Sequence, residues 1–254
     1  MKNTRLKGQL KNNEQTLGSW VTIGHPAVVE VLSNANFDWL TIDIEHNNID
    51  PAMLTTLIAT IQSKNIAALV RVSKNEEVPI KHAMDAGADG VIVPMVNSRE
   101  DAEKAVEYVK YPPRGKRGVG LSRAQNYGIG FESYKQWLQA YSVIIAQIEH
   151  IDGVRNIEQI IEVPDIDAII IGPYDLSGSL GYPGNYSRED VREALIRVEQ
   201  VCRERNFPMG FHVVPPDVEE VAIRRAAGYS FIAFSTDFLL MGDTATKLVN
   251  HLRK

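Results

Sequence analysis

One cysteine, Cys202, occurs in 254 residues, which excludes a disulfide framework. It sits in a helical stretch between Val201 and Arg203 and reads as a buried or half-buried structural thiol. Long apolar runs are missing as well. Nothing approaches the ~18 consecutive apolar residues of a membrane span, so no membrane partner is expected. The first residues, Met1-Lys2-Asn3-Thr4-Arg5-Leu6-Lys7-Gly8, are basic but no apolar segment follows, so a secretory signal is not expected. There is no basic block and the net charge is -5, which argues against nucleic acid. No Gly-x-Gly-x-x-Gly follows the first strand-like segment, which argues against a dinucleotide. A cytoplasmic protein fits all of these absences.

What is present is a regular alternation. Hydrophobic residues make up 44% of the chain, enough for a sizeable core. Strand-like segments fall at 17–23, 39–44, 66–71, 90–93, 143–150, 168–171, 207–214 and 229–235. Helical patterns separate most of them. Pro26 and Pro51 open helices, Gly87 closes one, and Ser98 caps another whose first turn carries Glu100 and Asp101. A short helix near 133–140 precedes the fifth strand, and the last helix runs over about 238–252. One irregular stretch, 111–130, is rich in Gly and Pro and has the length of an active-site loop. The pattern predicts a (β/α)₈ barrel, one domain over residues 1–254. A doubly wound open sheet is the alternative, unusually wide for this strand count.

In such a barrel the working rim is made by the residues just after each strand. Those positions are polar: Asp43, Glu45 and His46 after the second strand, Arg71 at the end of the third, Gln147 and Glu149 after the fifth. Asp175 follows the sixth, His212 lies in the seventh, and Ser235 and Asp237 end the eighth. Glu149 and Asp175 come from adjacent strands. Two carboxylates there suit a hard divalent cation, Mg²⁺ or Mn²⁺, better than Zn²⁺. Taken singly, either acid is better read as a cap of the helix behind it, and it is the pair on neighbouring strands that points to a metal. Arg71 would place a permanent cation at the barrel mouth, for a carboxylate or enolate oxygen or for an ion pair with a rim acid. His46, three residues past Asp43, is a candidate general base or a solvated loop residue. His25 reads as a loop residue and His82 as a helix-surface one. His212 either faces the lumen or is a hydrogen-bonded core histidine.

Two further absences narrow the chemistry. No lysine lies on a strand in an apolar setting, so a Schiff base is disfavoured. No glycine-rich cradle follows strands seven and eight, so a phosphorylated substrate is disfavoured too.

The segment Phe37-Asp38-Trp39-Leu40-Thr41-Ile42-Asp43-Ile44-Glu45-His46 resembles the F-D-W-x-x-x-D-x-E-H block of the metal-dependent pyruvate aldolases, the HpcH/HpaI aldolase family. Val93-Pro94-Met95-Val96, Tyr111-Pro112-Pro113 through Arg117-Gly118-Val119-Gly120, Gln147-Ile148-Glu149 and Ile171-Gly172-Pro173-Tyr174-Asp175-Leu176-Ser177 match further blocks in the same order. The resemblance implies a class II aldolase that reversibly cleaves a 4-hydroxy-2-oxo acid, such as a 2-dehydro-3-deoxy sugar acid or 4-hydroxy-2-oxoheptanedioate, to pyruvate and an aldehyde. It implies Glu149 and Asp175 as ligands of a divalent metal ion, with Co²⁺ possible beside Mg²⁺ and Mn²⁺. It implies His46, paired with Asp43, as acid/base, and Arg71 and Gln147 on the pyruvyl group. Backbone amides around Pro173, Tyr174 and Asp175 would hold the pyruvate carboxylate. A homo-oligomer is implied, commonly a hexamer built as a trimer of dimers with exchanged terminal helices. Tyr174 stands where a small residue is common, and 211–216 is less apolar than the family version. Both departures fall where the distal half of the substrate would sit. Two other functions remain open on sequence: an acyl-CoA lyase of the malyl- or citramalyl-CoA type, with Arg114, Lys116 and Arg117 as a phosphate-binding patch, and a non-catalytic barrel that binds a 2-oxo acid.

Overall fold

Continuous aliphatic runs can be buried on both faces only in a parallel sheet covered by helices. The computed structural model, which describes residues 3–254, closes such a sheet on itself. Its strands are β1 (Thr16–Val21), β2 (Trp39–Asp43), β3 (Ala67–Arg71), β4 (Gly90–Val93), β5 (Val143–Ile148), β6 (Ala168–Ile171), β7 (Met209–Val213) and β8 (Phe231–Thr236). They pair in sequence order, all parallel, with β8 returning to β1. The fold is the expected (β/α)₈ barrel.

Twelve α-helices surround it among the described residues. They are α1 (Leu6–Lys11), α2 (Pro26–Ser33), α3 (Pro51–Ser63), α4 (Glu77–Ala86), α5 (Arg99–Val109) and α6 (Phe131–Tyr141), then α7 (Ile151–Arg155), α8 (Ile157–Ile161), α9 (Pro173–Ser179), α10 (Glu189–Glu204), α11 (Val218–Ala226) and α12 (Asp237–Leu252). The punctuation read from sequence acts as expected. Pro26 and Pro51 occupy first turns, Gly87 ends α4 at φ 102°, and the Ser98 side chain accepts from the Asp101 amide. Two histidines prove to be caps: His25 and His150 each accept an amide hydrogen through Nδ1. Cys202 is buried on α10, and burial pushes its thiol up to about 12. None of these helices is long and apolar enough to cross a membrane.

Sequence reading missed α1. This short helix turns Leu6 and Leu10 into the lumen, where they join Trp39, Leu69, Ile145, Ile170 and Phe231 in one apolar cluster. It is held from outside by Lys7, which donates to Asp167 at 2.6 Å. The lumen is therefore plugged at its amino-terminal end.

Strand periodicity divides the lumen into floors. On β2 the inward series is Trp39, Thr41, Asp43; on β3 it is Ala67, Leu69, Arg71; on β5 it is Val143, Ile145, Gln147. Each series begins apolar and ends polar. At the lower floor Trp39 stacks on Phe231 with centroids 4.1 Å apart. Gly18 of β1 has no side chain because a Cβ there would lie 2.1 Å from the Trp39 ring. The larger core lies outside the barrel, between strands and helices. All the polar termini of the inward series consequently meet at one end.

Candidate active site

The upper floor opens into a cavity of about 380 Å³, within the range of small-molecule sites. Its wall includes Asp43, His46, Arg71, Gln147, Pro173, Tyr174 and Asp175. Seven of the eight residues singled out from sequence thus share one cavity. The eighth, Glu149, lies buried directly behind the wall, its Oε2 only 3.1 Å from where a Cβ on Gly172 would stand.

Arg71 and Asp43 are direct neighbours because β2 and β3 pair Asp43 with Arg71 in register. Asp43 takes two hydrogen bonds from the guanidinium, from Nε at 2.9 Å and Nη2 at 2.7 Å. It also accepts from the Glu45 amide at 3.0 Å and from Asn47 Nδ2 at 2.6 Å. Burial alone would raise the Asp43 pKa, yet Arg71 and the backbone amides of Glu45 and His46 hold it below the ordinary carboxylate range. Arg71 lies over the Trp20 ring, 4.4 Å from its centroid. Among the described residues no acceptor meets Nη1. The guanidinium is fixed on two sides and retains one donor group for something in the cavity.

This arrangement corrects the expected pairing of His46 with Asp43. The Asp43 carboxylate is committed to Arg71 and Asn47, and only the backbone N–H of His46 reaches it, at 3.5 Å. The imidazole is largely exposed, and its Nε2 lies 3.7 Å from Glu45 Oε2. Glu45 therefore stands where Asp43 was expected. That side chain is half-buried, its Oε2 has no hydrogen-bond donor, and Arg71 Nε is 3.3 Å away. Burial pushes its pKa up to about 7; Arg71 opposes this, and Glu149, Asp43 and Asp175 add to it.

Glu149 is 4% exposed, and among the described residues no Lys, Arg or His lies within ion-pair range of it. Oε1 accepts from the Met95 amide at 2.7 Å, while Gln147 Nε2 donates to Oε2. Met95 itself has φ 54°, so the turn that aims its amide is unusual for a non-glycine residue. Burial raises the Glu149 pKa; the two donors and Arg71 oppose this, and the Asp175 carboxylate raises it further. Neither acid acts as a helix cap: His150 caps α7, and Asp175, in the first turn of α9, makes no capping bond. A buried carboxylate that feels a second carboxylate, with no cation in ion-pair range and only the charge of Arg71 to offset it, is costly unless a metal ion is bound. Nearby, Gln147 Oε1 and Glu45 Oε2 are buried oxygen atoms without donors. All of these are hard acceptors, and the donor set fits a Mg²⁺-like ion completed by substrate or water oxygens. No group of three or more His, Cys, Asp or Glu ligands occurs among the described residues, which speaks against a protein-only cage.

Sequence reasoning overlooked Trp20 and Asn47, although Trp20 was recoverable as the inward neighbour of Gly18 on β1. His212 does face the lumen, with Nε2 3.4 Å from the Ser235 carbonyl oxygen. Asp237 ties β8 to β1 by accepting from the Thr22 hydroxyl and from the amides of Thr22 and Ile23 at 2.8 Å. The anticipated phosphate patch does not form. Arg114 pairs with Asp165, Lys116 pairs with Glu107 at 2.8 Å, and Arg117 is buried under Tyr111 and against the Tyr134 hydroxyl. With those cations engaged, the acyl-CoA reading loses its support.

The family described as HpcH/HpaI aldolase/citrate lyase matches residues 16–242. The 2-dehydro-3,6-dideoxy-6-sulfogluconate aldolase of Pseudomonas putida is 35% identical over 96% of this chain and 95% of its own length. A hydroxypyruvate/pyruvate aldolase of Paraburkholderia phytofirmans is 33% identical over 93% of this chain and 92% of its own. Among solved structures, an HpcH/HpaI aldolase/citrate lyase family protein from Burkholderia cenocepacia superposes with a TM-score of 0.93. It is 30% identical and covers 99% of this chain and 100% of its own.

Proposed function

The chain belongs to the HpcH/HpaI aldolase/citrate lyase family and is a carbon–carbon lyase, and from that premise we propose a divalent-metal-dependent aldolase that splits a 4-hydroxy-2-oxo acid reversibly into pyruvate and an aldehyde. The observation that carries the metal is Glu149, a buried carboxylate whose pKa the Asp175 charge helps to raise and which has no cation in ion-pair range among the described residues. Glu149 and Asp175 would hold the ion, Mg²⁺ or Mn²⁺ with Co²⁺ a further candidate. When bound, it supplies Lewis-acid polarisation of the 2-oxo group and charge for the enolate that develops.

The protein's own groups do the rest. Arg71, held rigid by Asp43 and Trp20, offers Nη1 to the 2-oxo oxygen, where charge grows as the bond breaks. Gln147 contacts the pyruvyl group from the same wall. Pro173 contributes no N–H, so the pyruvate carboxylate is received by the amides of Tyr174 and Asp175 in the first turn of α9. In the cleavage direction the 4-hydroxyl proton passes to His46, directly or through a water. The C3–C4 electron pair then moves to the 2-oxo oxygen as an enolate, C4 leaves as an aldehyde, and C3 takes up a proton to give pyruvate. Proximity of His46 to Glu45 supports the imidazole's role as proton acceptor.

The test is pyruvate release from a panel of 4-hydroxy-2-oxo acids before and after dialysis against a chelator. Activity should disappear on dialysis and return with Mg²⁺ or Mn²⁺. A chain that releases pyruvate from no member of the panel is better described as an idle 2-oxo-acid-binding barrel.

Assembly is part of the same proposal. α12 buries little beyond Asp237 and leaves Phe238, Met241, Leu248, Val249 and Leu252 exposed, an apolar stripe with no cover in the single chain. We place this face against other copies in a cytoplasmic homo-oligomer, a hexamer with exchanged terminal helices. Light scattering on the eluting peak should give about six times the 28.3 kDa chain mass; a monomeric peak would sink the assembly.

A further inference from the structure

Two polar groups in the cavity wall have no task in the reaction just described. Both belong to the arc of strands from β7 to β1. Trp20 is 3% exposed, lines the cavity, and its Nε1–H is buried without an acceptor. His212 lines the same cavity, and its ring lies 5.3 Å from the Trp20 ring. The His212 Nε2 faces the Ser235 carbonyl oxygen, which only accepts, so the proton sits on Nε2 and Nδ1 carries a lone pair. Among the described residues Nδ1 has no donor. Burial, with the Arg71 charge adding to it, lowers the His212 pKa to about 3, so the imidazole remains a neutral acceptor at any working pH.

An unpaired N–H donor and an unpaired nitrogen acceptor on rings 5.3 Å apart are the complement of a hydroxyl group, which can both donate and accept. Arg71 lies over the same Trp20 ring, so this pair adjoins the guanidinium that receives the 2-oxo oxygen in the proposed reaction. Beyond it the wall continues with Tyr174, Val214 and Phe238, none of them an Asp, Glu, Lys or Arg. Among the described residues Arg71 is the only Arg or Lys lining the cavity, and Asp43 already engages it.

We propose that Trp20 and His212 form a hydroxyl-recognising subsite for the aldehyde half of the substrate, so that the chain selects uncharged, hydroxylated aldehydes. The inference rests on the aldolase reading and adds the class of aldehyde. His212 and Trp20 are specificity-determining residues in it.

The experiment uses the full-length chain with Mg²⁺ and saturating pyruvate, and compares kcat/KM for glycolaldehyde, acetaldehyde and glyoxylate. Wild type should favour glycolaldehyde over acetaldehyde by about tenfold or more, as a site with unpaired polar groups rejects the analogue lacking the hydroxyl. Glyoxylate should be no better than acetaldehyde. In His212→Leu the glycolaldehyde-to-acetaldehyde ratio should fall to within about threefold of one, and His212→Gln, which keeps an acceptor, should retain part of it. Trp20→Phe, which removes only the donor, should lower the same ratio and serves if His212→Leu does not fold. An unchanged ratio in both His212→Leu and Trp20→Phe overturns the subsite, and so does a wild type that prefers acetaldehyde or glyoxylate. Deuterium exchange at the pyruvate methyl group, followed by NMR on wild type without aldehyde, separates the two levels. Exchange without hydroxyl preference overturns the subsite alone; no exchange and no condensation overturns the aldolase reading and the subsite with it.

Discussion

Glu149→Gln is expected to reduce pyruvate release by three orders of magnitude or more, ~4 kcal/mol of barrier, and to remove its dependence on Mg²⁺ or Mn²⁺. The change is nearly isosteric, so it isolates the charge. Glu149 stands behind Gly172 with both oxygen atoms accepting, from the Met95 amide and from Gln147, and a glutamine fits the same space if Gln147 turns its unpartnered Oε1 to the new NH2 group. Without metal, loss of the carboxylate should leave the melting temperature unchanged or raised, because burial and Asp175 already act against the charged form. With metal the two proteins should diverge. Wild type gains stability by mass action as Mn²⁺ is added, while Glu149→Gln gains none. Asp175→Asn, at the other end of the pair, should show the same loss of turnover and of metal-induced stabilisation. Metal-dependent turnover within tenfold of wild type in both variants would remove these two acids from the ligand set.

Arg71→Ala is the second large effect. A preorganised donor aimed at developing charge is typically worth ~3–4 kcal/mol, so kcat should fall by about 10²–10³-fold. Metal-induced stabilisation should survive, since Arg71 is not a ligand. Arg71→Lys should recover little of the loss. A lysine ammonium cannot reproduce the fork that binds both oxygens of Asp43 while leaving a third group free. Near-normal turnover by Arg71→Ala with metal bound would disqualify the guanidinium as the group that receives the enolate oxygen.

The barrel could be read from the chain because its signals are local and repeated. Aliphatic runs of strand length, separated by helices with Pro or Ser at their starts, leave few architectures open. The rim could be read for the same reason: a residue at the end of an inward series has to face the mouth. What failed depended on contacts across long stretches of chain. α1 is six residues long with two leucines one turn apart, and such a pattern carries no periodic signal until a lumen exists to receive it. The spacing of Asp43 and His46 suggested a pair, but spacing in a loop does not say where a carboxylate turns. The register of β2 on β3 does, and it gives Asp43 to Arg71. The basic run around Arg114 looked available because Asp165, its partner, lies 51 residues further along.

The division of the lumen into floors has a consequence for how this chain can change. Trp39, Phe231 and the α1 leucines fix the barrel's girth from below, and the apolar cluster they form reaches the cavity wall at Trp20 and Ile170. Altered preference for one aldehyde over another can therefore be acquired at positions such as 174 and 212 while the lower floor keeps its packing, whereas a change at 20 reaches both. Shape and selectivity in this molecule are carried by two sets of residues that meet at Trp20 and Ile170.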